Sequence, residues 1–180
     1  MRGAGAAGRR RGDGDGLEQG TQLGPIQNKT QYDRVMGLID SARQDGKIIA
    51  GGERQGDKGY FIRPTIVRDI TDGSRLVDEE QFGPVLPVIR YSDAEDALAR
   101  ANNSEYGLGG SIWSPDLDKA YDLATRMESG TVWVNKHADL APNIPFGGAK
   151  GLRHRGGTGR GGPGRVHPAA GDQRRAVIWR

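Results

Sequence analysis

The chain has 180 residues, with 26 Lys and Arg against 23 Asp and Glu, 30 Gly, 9 Pro and no Cys. That length fits one domain with enough chain for a core, and the missing cysteine excludes disulfides, thiolate metal sites and a cysteine nucleophile within these residues. No run of the ~18 apolar residues that a membrane helix needs is present. Met1 to Gly12 lacks the apolar centre of a secretory signal or an amphipathic transit helix, so a cytoplasmic location with no membrane partner is expected.

The net charge of +3 is unevenly spread. Residues 1–12 carry four Arg and no acid, and residues 151–180 carry seven Arg and one acid, Asp172, which leaves −7 for the middle. The basic character therefore belongs to the two ends, and the average is no sign of nucleic-acid binding. The ends are also rich in Gly, and they show no apolar period of 2 or 3.6 residues to offset ordering entropy. A disordered Arg/Gly-rich leader over 1–16 and a disordered Arg/Gly-rich tail over 151–180 are expected, with the folded part at 17–150.

In chain order, Tyr32, Val35, Met36, Ile39 and Ala42 mark one face of a helix. Asn28 with Gln31 resembles a capping box, and Gly46 suits a left-handed C-terminal turn. Lys47–Ala50 reads as a short strand closed by Gly51 and Gly52. Tyr60–Ile62 and Thr65–Val67 are strand-like runs on either side of Pro64, which marks an edge or a bend. Val85–Tyr91 is a further apolar run.

Ser92 with Glu95 resembles a second capping box, opening a helix whose stripe is Ala94, Ala97, Leu98 and Ala101. Leu108–Trp113 reads as a strand. Ser114 and Pro115 then read as N-cap and first residue of a third helix, with Leu117, Ala120, Tyr121, Ala124 and Met127 inside. Gly130 ends it, and Thr131–Val134 is the next strand. Strands alternating with helices at this spacing predict an α/β fold with a mostly parallel sheet and flanking helices.

General catalytic motifs are absent: no G-x-G-x-x-G opening a helix, no G-x-x-x-x-G-K-S/T and no H-E-x-x-H. His137, His154 and His167 without cysteine make no usual zinc cage, so no metal is expected and His137 reads as a loop histidine. Four local patterns remain. Glu79-Glu80-Gln81-Phe82-Gly83-Pro84 is a carboxylate pair before an aromatic and a turn; a loop carboxylate there either accepts a ribose diol or is merely solvated. Asn102–Leu108 is a polar helix exit. Ser129–Asn135 is a helix end, a strand and a polar residue at the strand's end, where open α/β sheets place ligands. Pro145–Lys150 is a Gly-rich loop, permitting close approach or simply a tight turn.

Taken together with Leu23-Gly24-Pro25-Ile26 and Gly59-Tyr60-Phe61-Ile62-Arg63-Pro64-Thr65, these patterns resemble the C-terminal part of the catalytic domain of the aldehyde dehydrogenase superfamily, over roughly residues 17–150. The resemblance implies oxidation of an aldehyde to a carboxylic acid with NAD or NADP: a cysteine thiolate attacks, hydride passes to the nicotinamide, and a glutamate-activated water releases the acyl group. It implies that Glu80 binds the nicotinamide ribose and Phe82 lies beside the nicotinamide. It places Asn135 near the active-site floor and Phe146 on the loop lining the aldehyde tunnel. It also implies a homo-oligomer, a dimer or a tetramer.

The family's cysteine, glutamate base, oxyanion asparagine and dinucleotide-binding part fall upstream of the matched segments, so no catalytic residue is assigned here and the chain alone is expected to be inactive. Removing those parts would expose apolar strand faces around Ile48, Ile112 and Val132, so poor solubility or a molten state is expected. After Lys150 the family continues x-Ser-Gly-x-Gly, whereas this chain runs Gly151-Leu152-Arg153-His154-Arg155. Reading those codons one nucleotide later permits Gly-Ser-Gly-Ile-Gly, and a similar shift at Val166–Asp172 permits a strand-forming ending, so a frameshift near residue 150 is expected. Two alternatives are one half of a split enzyme that needs a separate N-terminal half, and an Arg/Gly tail that binds RNA.

Overall fold

A computed structural model of the chain describes Gly12, residues 14–141, Ile144 and residues 146–150, together with the backbone of Arg165–His167 and Val177–Trp179. The frameshift reading and most of the leader and tail lie outside the described residues. The chain divides into two compact units, residues 1–90 and 91–180. The single sheet expected from the alternation is thus two sheets.

The first unit opens with helix α1, Lys29–Asp45, capped by the Asn28 side chain, which accepts from the Gln31 N–H at 2.9 Å. Its buried face is Val35, Leu38, Ile39 and Ala42, and Tyr32 and Met36 pack at the margin. Leu38 extends the stripe that the sequence marks. Burying a side chain of that size contributes about 1.5–3 kcal/mol. Gly46 follows in extended backbone rather than a left-handed turn. Its need for glycine is spatial, because a Cβ there would lie 2.9 Å from the Arg68 carbonyl oxygen and 3.0 Å from Ile70 Cβ.

Strand β1 (Lys47–Ala50) pairs antiparallel with β2 (Thr65–Arg68), and β2 pairs parallel with β3 (Val85–Val88). A short helix α2, Arg75–Asp78, lies between β2 and β3 in the chain. The run 60–62 forms no strand; Ile62 makes one isolated bridge to Arg54. Backbone pairing with residues 53–55 involves only Phe61 to Arg63 and goes no further before Pro64, which has no N–H to donate to a ladder. The core joins Val35, Leu38, Ile39 and Ala42 to Ile62, Val67, Ile70, Leu76 and Val85, with Ile48 packed against it.

In the second unit, helix α3 (Ala94–Asn102) is capped by Asp93, whose carboxylate accepts from the Glu95 N–H, not by Ser92. Only Leu98 of its expected stripe is buried. Strand β4 (Gly109–Trp113) leads to helix α4 (Leu117–Arg126), capped by Asp116 through the Lys119 N–H at 3.0 Å. The expected cap, Ser114, instead uses its hydroxyl on the Asp116 N–H and its main chain on Asn135. The helix therefore starts two residues late; Ala120, Ala124 and Met127 are buried as expected, Leu123 joins them, and Leu117 in the first turn is exposed.

Strand β5 (Thr131–Val134) pairs parallel with β4, completing a β–α–β unit. Ile112, Val132 and Val134 are fully buried under α4 residues, so the strand faces expected to be bare are covered within the unit. Strands β6 (Arg165–His167) and β7 (Val177–Trp179) flank the sheet, giving the order β6-β5-β4-β7. These six residues are the described part of the tail. An open strand edge recruits extended backbone through its N–H and C=O groups, whatever the side-chain period. Three of the five strand pairings described are parallel, the mostly parallel α/β arrangement expected. No helix among the described residues is long and apolar enough to cross a membrane.

Candidate functional site

The loop between α2 and β3 carries the carboxylate pair, and its residues alternate in role. Glu79 is turned onto Arg75 at 2.7 Å and toward Arg34 at 3.7 Å. Hydrogen bonding to Arg75 holds its carboxyl below the usual carboxylate range, against a smaller opposing effect of burial. Gln81 staples the turn: its amide N–H donates to the Val85 carbonyl at 2.6 Å and its oxygen accepts from the Gly83 N–H at 2.8 Å. Glu80 and Phe82 are the exposed members, Phe82 by 68%.

The loop is also pinned to α1. Arg34 donates to the Glu80 carbonyl oxygen at 3.0 Å, and Gly83 sits so close to Val35 that a Cβ would meet its methyl at 2.7 Å. On the other side the Thr65 N–H donates to the Pro84 carbonyl at 2.8 Å, fastening the turn to the start of β2. An exposed carboxylate and an exposed ring two residues apart on a braced turn suit a ribose diol and a flat heteroaromatic ring.

In the second unit three of the sequence patterns meet. Asn102, at the end of α3, donates to the Arg126 carbonyl and accepts from the Glu128 N–H, each at 2.9 Å. The Gly107 carbonyl accepts both the Gly130 N–H at 3.0 Å and the Ala149 N–H at 2.8 Å. Lys150 donates to the carbonyls of Asn102 and Ser104 and pairs with Glu128 at 3.0 Å. The Gly-rich loop is thereby tied to two segments far away in sequence.

Asn135 ends β5 with φ of +56°, a backbone that asparagine tolerates better than most residues. Its side chain is buried, and both polar ends are engaged by Ser114: the oxygen accepts the N–H at 2.8 Å and the N–H donates to the carbonyl at 2.9 Å. It clasps the end of β4. Phe146 is 45% exposed and its ring lies 6.3 Å from that of Trp133, which in turn meets His137 edge-on at 5.4 Å. His137 is exposed, with Nδ1 3.2 Å from the Ser111 hydroxyl. Among the described residues no group of three His, Cys, Asp or Glu side chains is arranged to hold a metal ion.

Glu80 and Phe82 thus stand on one loop of the first unit, whereas Asn135 and Phe146 stand on the second. Residues 7–162 match the model of the aldehyde dehydrogenase family. The chain belongs to the aldehyde dehydrogenase family. It is 42% identical over 138 residues to aldehyde dehydrogenase 1A1 of Bos taurus, an alignment covering 76% of this chain and 28% of the relative. Among solved structures it is similar to the NAD+ complex of aldehyde dehydrogenase from Bacillus cereus, with 36% identity and a TM-score of 0.78 over 83% of this chain and 30% of that one. It is also similar to the Mycobacterium tuberculosis aldehyde dehydrogenase complexed with NAD+, with 36% identity and a TM-score of 0.75 over 79% of this chain and 30% of that one.

The chain therefore spans under a third of the length of these family members. Sequence reasoning singles out Glu80, Phe82, Asn135 and Phe146 but misses the residues that brace them. Arg34 precedes its loop partner by 46 positions and Ser114 precedes Asn135 by 21, separations that carry no periodic signal.

Proposed function

We propose that this chain supplies the nicotinamide-ribose side of the cofactor site and part of the aldehyde channel of an enzyme that oxidises an aldehyde to a carboxylic acid with NAD or NADP. The observation that carries the reading is the 79–82 loop: Glu79 and Gln81 hold the turn, and Glu80 and Phe82 stand exposed two residues apart on it. Glu80 is the carboxylate that accepts two hydrogen bonds from the ribose diol. Phe82 offers an apolar face to the nicotinamide, fixing which side of the ring meets the substrate. When bound, the dinucleotide accepts hydride. Phe146, braced on Trp133, lines the aldehyde's approach, and Asn135 holds the sheet end beneath it.

No cysteine stands among the 180 residues, so a thiolate for covalent attack is not available within them. The chain assayed alone with NAD+ and an aldehyde is expected to form no NADH. The positive test is a chimera in which residues 17–150 replace the aligned segment of the bovine 1A1 relative. That chimera should be active, and Glu80→Gln should raise its KM for NAD+ about 10- to 100-fold, the equivalent of a charge-assisted hydrogen bond of about 1.5–3 kcal/mol. An unchanged KM for NAD+ in active Glu80→Gln and Phe82→Ala chimeras would refute the assignment.

A further inference from the structure

We propose that Arg34, on helix α1, is the positioning residue of the cofactor loop: its guanidinium gathers the Glu80 carbonyl and the Glu79 carboxylate so that Glu80 and Phe82 are presented outward. The proposal rests on the functional reading above for what the loop binds. It rests on geometry for how the loop is held.

One guanidinium nitrogen, Nη2, makes both contacts, 3.0 Å to the Glu80 carbonyl oxygen and 3.7 Å to Glu79 Oε2. The neighbouring restraints do different work. Arg75 binds Glu79 at 2.7 Å from within α2, so Glu79 keeps a partner without Arg34. Gln81 closes the turn on itself and on Val85, both beyond Glu80. Arg34 thus ties the carbonyl of Glu80 to a helix 46 positions earlier in the chain. It lies next to Val35, a fully buried residue against which Gly83 packs, so its backbone cannot drift.

The Arg34 side chain is itself about half exposed, at 48%. Exposed ion pairs add little to global stability. The role is therefore separable from structural support: losing Arg34 should loosen the loop without loosening the unit. A single ammonium reaching the same point would replace most of it, because one nitrogen makes both contacts.

The test compares amide hydrogen exchange in the full 180-residue chain for wild type, Arg34→Met and Arg34→Lys, with Lys29→Met as a control that removes another ion pair of α1, that with Asp33. Arg34→Met should speed exchange at Gln81–Gly83 about 10-fold and leave Val35–Ile39 and Thr65–Arg68 unchanged. Arg34→Lys should recover most of the protection, and Lys29→Met should behave as wild type. In the chimera, Arg34→Met should raise KM for NAD+ about 3- to 10-fold with KM for the aldehyde unchanged. Unaltered loop exchange, or equal acceleration across α1 and β2, overturns the positioning role. If Glu80→Gln shifts KM for NAD+ but Arg34→Met does not, the role falls and the functional reading stands. If neither Glu80→Gln nor Phe82→Ala shifts it, the functional reading falls and takes the cofactor role of Arg34 with it.

Discussion

Replacing Asn135 with alanine removes both arms of the clasp on Ser114. The Ser114 main chain is buried, with the residue 4% exposed, so its N–H and C=O lose their partners at 2.8 Å and 2.9 Å without gaining ready access to water. Leaving a buried polar group unpaired costs about 1–3 kcal/mol, and two are created. Alanine must also adopt the left-handed backbone at +56°, which adds about 1 kcal/mol. The expected loss is about 3–7 kcal/mol, a large part of the ~5–15 kcal/mol that holds a typical domain folded. Urea unfolding followed by Trp fluorescence measures it, because Trp113 and Trp133 sit on the two strands that the clasp joins. Asn135→Gly separates the two contributions: it loses the bonds but keeps the backbone, and should be less damaging than alanine. A loss below about 1 kcal/mol for Asn135→Ala, or glycine worse than alanine, would refute the clasp.

Two further outcomes follow from the second unit. Glu95 takes both arms of the Arg126 guanidinium at 2.6 Å and 2.8 Å, and that hydrogen bonding lowers its pKa against the opposing effect of burial. A depressed carboxyl contributes stability above its ordinary pKa and loses it as pH falls through the lowered value. Glu95→Gln should therefore be less stable than wild type near neutrality and equal to it in acid; a gap that persists in acid refutes the pairing. At Gly130 a Cβ would overlap the Gly147 carbonyl oxygen, a backbone atom with no rotamer to yield. Gly130→Ala should cost about 1–3 kcal/mol and displace the 146–150 loop, altering Trp133 fluorescence as Phe146 moves away. An unchanged emission spectrum would show that the loop does not depend on that approach.

Much of the molecule is legible along the chain. The period of Val35, Met36, Ile39 and Ala42 places α1, and its cap at Asn28 is where a side-chain acceptor precedes an apolar stripe. Compact apolar runs place β2 and β5 within a residue, whereas the run Val85–Tyr91 overshoots the end of β3 by three. The errors have a common cause. Ser92 and Ser114 are plausible caps by composition, but Asp93 and Asp116 stand one and two residues later and take the role, and Ser114 is already committed to Asn135. The later cap leaves Leu117 as the first residue of the helix, where it is exposed, while Ala120, Ala124 and Met127 stay inward and Leu123 widens the same face.

The family, the α/β alternation and Glu80, Phe82, Asn135 and Phe146 as candidate site residues are written in the chain, because they reside in local order and spacing. Folding settles that Glu79 pairs with Arg75, that Asn135 grips Ser114, and that Lys150 ties Asn102 to Glu128. Those are contacts between residues from 4 to 48 positions apart, and a helix or strand period does not say which neighbours the folded backbone brings within hydrogen-bond reach.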